Sequence, residues 1–119
     1  MKLEVGMWVR IKNKAGWCCI GKIYNINDFR EPSMKYCIDI QSDDFVFIPE
    51  NMITKASHNI IDLIEVGDYV NGERVCAVEK YEEGKLTVLA LFEDYCTQQN
   101  IKSIVTKEQF ESMSYKVGD

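Results

Sequence analysis

The sequence predicts an all-β protein made of two tandem β units, each about half of the 119-residue chain. The first reason is a phrase that occurs at residues 3–9 and again at residues 64–70, reading aliphatic, Glu, Val, Gly, any residue, aromatic, Val. The second is a pattern at residues 46–53 and 103–110, in which apolar strand residues lead into a helix-start signal. The third is the alternation of apolar and polar residues between these phrases, which is typical of strands. A long repeat with only two copies indicates tandem domains and not a solenoid.

The repeated phrase predicts a bend that leads directly into a strand. Gly6 and Gly67 suit that bend, because glycine tolerates backbone angles that other residues avoid. The aromatic residue and the Val that follow fit a half-buried strand. In the second copy, residues 66–70 (Val-Gly-Asp-Tyr-Val) resemble the "V-G-D-x-V" entry into the first strand of small SH3-like and KOW-like barrels. The first copy carries Met7 where that entry has Asp.

The second pattern predicts a short helical turn late in each unit. Pro49 suits the first helical position, since its missing N–H loses nothing there. Thr106 and Gln109 have the spacing of a capping box. SH3-like barrels carry a single helical turn between their fourth and fifth strands. The resemblance therefore implies two tandem small SH3-like barrels, each with a short helical turn before its last strand.

We expect these barrels at residues 1–56 and 64–119, joined by a short rigid connector at residues 57–63. The connector has neither Gly nor Pro, and its three large aliphatic residues would fill the seam between the barrels. His58, the one histidine of the chain, is expected to be a hydrogen-bonded structural residue. Because units of this size bury only about 60% of the surface that the unfolded chain exposes, we expect them to pack together or to oligomerise.

Apolar residues alternate with polar ones at residues 7–12 and 35–40, and the first unit reads as five strands. These are residues 7–12, 17–26, 35–40, 45–48 and 53–56. A bend or bulge is expected in the second strand at Gly21. Loops are expected at residues 28–34 and 41–44.

The second unit reads in the same way, with tighter turns. Asn71-Gly72 predicts a two-residue hairpin, because both residues accept the positive backbone angles of that turn. Glu82-Glu83-Gly84 predicts a second hairpin. Residues 93–100 are expected to form a polar loop. The strands of this unit are expected at residues 75–81, 85–92, 101–105 and 113–117.

The cysteines and the single histidine limit the chemistry that we expect. Five cysteines without a C-x-x-C pair predict neither a disulfide framework nor a metal site, and they fit buried thiols in a reducing cytoplasm. Cys18 or Cys19 with His58 and Asp62 is the one nucleophilic set that can be drawn, and no local signature supports it. The paired carboxylates fall in predicted turns, and the chain has no glycine-rich phosphate loop. The sequence therefore predicts a protein that is not an enzyme and holds no cofactor or metal.

Charge is unevenly distributed along the chain. Residues 1–55 hold eight Lys/Arg and seven Asp/Glu, a net of +1, and residues 56–119 hold six and twelve, a net of −6, which together give the total of −5. An acidic protein is a poor general binder of nucleic acid, and the apolar stretches are too short to span a membrane. The first unit can still present cations around an aromatic ring. The candidate binding residues there are Arg10, Lys12, Lys14, Trp17 and Arg30.

Trp17 follows a loop at residues 13–16, between the first two strands, that is longer than its counterpart in the second unit. Loops of this kind often carry function. The alternative is that Trp17 covers the open end of a small barrel.

Residues 59–72 (NIIDLIEVGDYVNG) and 101–111 (IKSIVTKEQFE) resemble small uncharacterised proteins encoded by phages and prophages of Gram-positive bacteria. The resemblance implies a non-enzymatic accessory protein in the cytoplasm of the infected host. Such proteins are often antagonists of host defence, which bind a host protein or sequester a signalling nucleotide. A nucleotide would need a deep pocket, for example between the subunits of a homo-oligomer. The alternative is an SH3/KOW-like nucleic-acid-binding module that uses the basic and aromatic face of barrel 1.

Overall fold

The structure is a computed structural model, and it describes residues 2–41 and 44–113. These residues form two five-stranded antiparallel sheets, which confirms the all-β expectation. Contacts within the chain divide it into two compact units, Met1–Leu63 and Ile64–Asp119. No helix within the described ranges has both the length and the apolar character needed to cross a bilayer.

The sheet of the first unit has the strand order β4-β3-β2-β1-β5, so the last strand pairs with the first. Its strands are β1 (Trp8–Lys12), β2 (Cys18–Ile26), β3 (Tyr36–Gln41), β4 (Asp44–Ile48) and β5 (Ile53–Ser57). Three short 3-10 turns accompany them, at Pro32–Met34, Glu50–Met52 and Ile60–Leu63. The turn at Glu50–Met52 begins one residue later than expected, with Pro49 in extended backbone as its cap.

The second unit has the order β10-β6-β7-β8-β9, in which the last strand again pairs with the first. Its elements are β6 (Tyr69–Val70), β7 (Glu73–Tyr81), β8 (Leu86–Leu91), β9 (Tyr95–Cys96), β10 (Ile104–Val105) and the helix α1 (Lys107–Met113). Two 3-10 turns lie at Glu82–Gly84 and Gln98–Asn100. Numbered within their own unit, the strands of both sheets follow one order, with a 3-10 turn before the fifth strand.

The repeated phrase makes the same backbone hydrogen bonds in both units. In the first, the Gly6 N–H donates to the Ile23 carbonyl at 2.8 Å, and the Ile23 N–H donates to the Met7 carbonyl at 2.9 Å. Both bonds recur in the second unit, at 3.0 and 2.7 Å, among Gly67, Val75 and Asp68. The two glycines have φ values of +93° and +98°, which glycine adopts without strain. The phrase is thus one conformation used twice.

The core of the first unit is mostly aliphatic. Alternate residues of β1 point into it, so Val9 and Ile11 are fully buried. The buried residues that form this core are Met7, Val9, Ile11, Cys19, Ile23, Tyr36, Ile38, Ile48 and Ile53. The other face of these strands carries the exposed Lys12, Lys22, Phe45 and Phe47, together with the buried Arg10.

Of the bend or bulge expected at Gly21, the bulge is absent from its pairing with β1. The pairing of β1 with β2 runs through it without a break, and Val9 is its partner. A Cβ at this position would lie 2.6 Å from Ile38 Cγ2 and 2.8 Å from the Asp39 carbonyl oxygen. Glycine is therefore present because β3 passes too close for a side chain.

The bulge of β2 lies three residues further on. The register between β2 and β3 shifts between Ile23 and Asn25, which leaves Tyr24 as the extra residue. The register between β7 and β8 shifts in the same way between Val75 and Ala77. A bulge changes the direction in which a side chain points. In the first unit the side chain affected is that of Tyr24, which is exposed.

The Asn71-Gly72 hairpin is confirmed, with φ values of +54° and +83°. Tyr69 pairs with Arg74 and Val70 with Glu73 around this two-residue turn. The Asn71 side chain also holds the chain near β10. Its amide donates to the Asn100 carbonyl at 2.7 Å, and its Oδ1 accepts from the N–H of Lys102 at 2.8 Å.

The end of the second unit differs from expectation. The predicted polar loop at 93–100 contains β9 and the 3-10 turn Gln98–Asn100. The capped helix α1 follows β10, in the order that the sequence predicts, but its last residue was expected to begin a strand at 113–117. Met113 ends that helix, and residues 114–117 lie outside the described residues, as do residues 42 and 43 of the predicted 41–44 turn.

Candidate functional site

Arg10 is inside the protein, so it is not the exposed binding cation that we expected. Its side chain is 2% exposed, and Nη1 donates to the Leu63 carbonyl at 3.1 Å. The turn Ile60–Leu63 packs over β1 and β5 and brings that carbonyl into reach. Arg10 therefore ties the segment after β5 to the sheet.

Lys12 and Lys14 are exposed and lie together beside an open groove of about 520 Å³. The groove runs between the end of β1 and the 3-10 turn that precedes β5. Its lining is Lys12, Asn13, Lys14, Pro49, Asn51, Met52 and Thr54. Two lysines in the lining of a largely apolar groove suit an anionic or amphipathic ligand.

Trp17 closes the loop between β1 and β2. Its N–H donates to Asn13 Oδ1 at 3.0 Å, and its carbonyl accepts from the Asn13 N–H at 2.9 Å. The indole is 38% exposed and is not part of the groove lining. The structure therefore does not bring Trp17 and the two lysines into one site.

Arg30 belongs to a different surface, which the sequence patterns did not reveal. Its guanidinium lies over the ring of Phe47, 4.5 Å from the centroid. Phe47 and Phe45 both project from the outer face of β4, and each is more than 40% exposed. The bulged Tyr24, 64% exposed, packs edge-to-face on Phe45 with centroids 5.0 Å apart. We call the surface formed by Tyr24, Phe45, Phe47 and Arg30 the aromatic face.

The aromatic face exists because β4 alternates. In the segment Asp44–Ile48, Val46 and Ile48 pack on the aliphatic core, so Phe45 and Phe47 must point outward. Aromatic and aliphatic residues alternate along this segment of the sequence, but the alternation alone does not determine which of the two sets faces the core. The aliphatic character of the other strands was the signal that assigns Val46 and Ile48 to the interior.

Asp39 lies on the same outer face, at the middle of the sheet. In the register of β3 it stands between Lys22 of β2 and Phe45 of β4. Its Oδ1 atom is buried and has no hydrogen-bond partner among the described residues. The Lys22 ammonium lies instead over the ring of Trp8, 5.3 Å from its centroid. The outer face thus combines exposed rings, cations seated on rings and a buried acceptor.

The cysteine thiols are mostly shielded. Four of the five are buried, and Cys76 is the exposed one. Burial, reinforced by the neighbouring Cys18, raises the pKa of Cys19 to about 12. Burial also raises the pKa of Cys37 and of Cys96. These buried groups remain neutral thiols at physiological pH and are poor nucleophiles.

His58 contacts Glu4, with Nε2 3.2 Å from Oε2. Its side chain is 61% exposed, whereas Cys18 and Cys19 are buried. Among residues 2–41 and 44–113, no group of three or more His, Cys, Asp and Glu side chains stands close enough to hold a metal ion. The structure therefore places His58 at the surface, in contact with Glu4 and apart from the cysteines.

Comparison with protein-family models, with curated proteins and with solved structures finds no match.

Proposed function

We propose that this chain is a non-enzymatic binding protein that contacts a protein partner through the aromatic face of its first unit. The observation that carries the proposal is the exposure of Tyr24, Phe45 and Phe47 side by side on one sheet face. Contiguous exposed apolar surface is unusual in soluble proteins and marks interaction sites. Aromatic and Arg side chains are also the groups that dominate the cores of protein interfaces.

The strand order supports the more specific fold that the sequence resembles. Each unit has a last strand paired with its first and a 3-10 turn before that last strand, which is the arrangement expected of an SH3-like barrel. We therefore propose two tandem SH3-like modules, with domains at 1–56 and 64–119 and a connector at 57–63. The shared hydrogen bonds at Gly6 and Gly67 support descent of both from one module.

The biological setting that we propose is the cytoplasm of a bacterium infected by a phage. There the chain would act as an accessory antagonist that binds a host defence protein. The resemblance of residues 59–72 and 101–111 to phage and prophage proteins supports this setting. The net charge of −5 favours a protein partner over nucleic acid.

The proposal is tested by affinity capture from lysate of a Gram-positive host, with the partner identified by mass spectrometry. The Phe45→Ser/Phe47→Ser variant should capture at least about tenfold less of that partner, because it removes the central rings. Phe92→Ser is the matched control, since Phe92 is an 81% exposed ring of the second unit. Equal capture by the double variant and the wild type would refute a role for the aromatic face.

A second candidate function is the binding of single-stranded nucleic acid by the first unit. Two cations already lie over rings on the sheet, Arg30 over Phe47 and Lys22 over Trp8, and such surfaces stack bases. Lys12 and Lys14 would add phosphate contacts at the groove.

Fluorescence anisotropy with a labelled oligonucleotide tests this second candidate. Binding should weaken steeply with added salt and should be lost in Lys12→Glu. Lys85→Glu is the control, because Lys85 is an exposed lysine of the second unit. Absence of binding at low salt would exclude nucleic acid as the ligand of the first unit.

A further inference from the structure

The strand β4 (Asp44–Ile48) forms an open edge of the first sheet. Among the described residues it pairs on one side only, with β3. The 3-10 turn Pro32–Met34 lies at the Ile48 end of β4, because the turn comes just before Tyr36, which pairs with Ile48. The unpaired side of an edge strand presents backbone N–H and C=O groups that can pair with a strand of another chain.

The other three edges of the two described sheets are protected against such pairing. β5 carries Lys55, and the turn Ile60–Leu63 packs over it. β9 and β10 are only two residues long each. Lysines, covering segments and short strands are the devices by which natural proteins prevent pairing between sheet edges. β4 has five residues, of which four are apolar and none is a lysine.

Two copies of β4 complement each other in one antiparallel register. Residues that stand opposite each other in antiparallel strands have their side chains on the same face of the sheet. When Val46 stands opposite Val46 of a second copy, each Phe45 stands opposite Phe47 of that copy. Both rings are more than 40% exposed in the single chain, and directly opposed aromatic pairs stabilise a sheet. The same strand thus supplies both halves of a self-complementary contact, as a twofold axis requires.

The charges on this face are kept apart in that register. Each described cation near β4 already has a contact in its own chain: Arg30 lies 4.5 Å from the Phe47 centroid, Lys22 lies 5.3 Å from the Trp8 centroid, and Lys35 lies 3.1 Å from the Asp28 carboxylate. The two Phe47 rings would lie on opposite sides of the twofold axis, so the two Arg30 guanidiniums would not face each other. Asp44, the one charged residue of β4, would stand opposite Ile48 of the second copy.

We propose that this chain forms a homodimer in which β4 pairs with β4 of a second copy, antiparallel and centred on Val46. The sheets of the two first units then form one continuous sheet, and the aromatic faces of both copies meet in one row of rings. Because a contact between two five-residue strands is small for a permanent interface, the dimer forms in a concentration-dependent way. The inference goes beyond the proposed function and does not depend on it.

The dimer is tested by sedimentation velocity and NMR on the full chain, from about 10 µM to about 1 mM, the range in which a small interface associates. The mean mass should rise from that of one chain toward that of two, with concentration-dependent amide shifts at residues 44–48. A mixture of ¹³C-labelled and unlabelled chains should show intermolecular NOEs between Phe45 and Phe47. A chain that stays monomeric throughout this range, or shifts that occur elsewhere and spare β4, would overturn the proposal.

Two matched variants test the register. Phe45→Lys/Phe47→Lys places lysine opposite lysine across the twofold axis, whereas Phe45→Lys/Phe47→Glu places lysine opposite glutamate. The Lys/Glu variant should dimerise at least about fivefold more tightly than the Lys/Lys variant, because opposed like charges destabilise a sheet and opposite charges stabilise it. Both variants replace the same exposed rings, so circular dichroism should show similar thermal midpoints. Equal association of the two variants, whether strong or absent, would refute the register centred on Val46.

Phe92→Lys is the control for the effect of an added lysine. Phe92 is an 81% exposed ring of the second unit, and its replacement should leave dimerisation as it is in the wild type. Weakening by Phe92→Lys as large as that by Phe45→Lys/Phe47→Lys would place the contact outside β4 and would also overturn the proposal.

Discussion

The carboxylate of Asp68 accepts a hydrogen bond from the backbone N–H of Lys107 at 2.9 Å, which joins the second repeated phrase to the start of α1. Its other oxygen accepts from the N–H of Glu65 at 2.8 Å, and the side chain is fully buried. In the first unit, the equivalent N–H of Glu4 meets the sulfur of Met7 at 3.3 Å. The two phrases thus have the same backbone conformation, and they differ in the hydrogen bonds that the side chain after the glycine accepts.

Asp68→Met places the residue of the first copy in the second. We expect the free energy of unfolding to fall by about 3 kcal/mol, because two backbone N–H groups lose a charged acceptor. Urea denaturation followed by circular dichroism measures this change, and hydrogen exchange at Lys107 should become faster. Glu93→Gln is the control, since it removes a carboxylate charge from an exposed position. If Asp68→Met proved as stable as the control, the carboxylate would be dispensable.

Thr106 and Gln109 form a reciprocal capping box at the start of α1. The Gln109 N–H donates to Thr106 Oγ1 at 3.0 Å, and the Thr106 N–H donates to Gln109 Oε1 at 2.9 Å. Thr106→Ala should lower the free energy of unfolding by about 1 kcal/mol, the usual effect of losing an N-cap side chain. Thr106→Ser keeps the hydroxyl and should lose much less in the same denaturation experiment. Similar losses in the Ala and Ser variants would assign the effect to the buried methyl group.

Features set by neighbouring residues could be predicted from the sequence. The capping box depends on a three-residue spacing, and the Asn71-Gly72 hairpin depends on two residues that accept positive φ. The bend at Gly6 and Gly67 follows from a glycine before an aromatic strand residue. In each case the residues that decide the geometry lie within one turn of each other.

Features that depend on distant segments could not be predicted. Arg10 alternates with Val9 and Ile11 as an exposed cation should, yet the turn Ile60–Leu63 folds over it and supplies the Leu63 carbonyl. The pairing of β10 with β6 is of the same kind, because these two strands lie more than thirty residues apart in the chain. No pattern of neighbouring residues predicts which of two strands far apart in the chain will pair.

The aromatic face lies between these two cases. The alternation of Phe45 and Phe47 with Val46 and Ile48 was present in the sequence, but the choice of inner face is made by the aliphatic residues of other strands. The exposure of Tyr24 depends on a bulge that alternation alone does not reveal. The candidate site could therefore be predicted only in part, through Arg30.

Gly21→Ala should be the most damaging of the glycine substitutions in the first unit. Its Cβ would lie 2.6 Å from Ile38 Cγ2 and 2.8 Å from a backbone oxygen, so β2 and β3 would have to separate. We expect a loss of about 3 kcal/mol in the free energy of unfolding. Gly16→Ala is the comparison, because Gly16 has φ +91° and open space around it. That variant should lose only about 1 kcal/mol, from backbone strain. A larger loss at Gly16 than at Gly21 would contradict the close approach of the two strands.

The buried Cys19 thiol predicts a loss of stability at alkaline pH. Burial raises its pKa from 9.0 to about 12, so above about pH 9 the unfolded chain loses this proton while the folded chain retains it. The unfolded state then binds fewer protons, and stability falls as pH rises through this window. This stabilisation is intact below about pH 9, and about 1.4 kcal/mol of it is lost by about pH 10.

Cys19→Val isolates this contribution, since valine fills a similar buried space and does not titrate. The drop in urea midpoint between about pH 8 and about pH 10 should be smaller in this variant than in the wild type. Tyr36, whose pKa burial also raises, contributes equally to both proteins and cancels in the comparison. Cys76→Val is the control, because that thiol is exposed and its loss should not reduce the alkaline drop. A thiol that is shielded from water loses its proton at a higher pH in the folded chain than in the unfolded chain. Identical pH dependence in the wild type and Cys19→Val would therefore mean that the Cys19 thiol is not shielded.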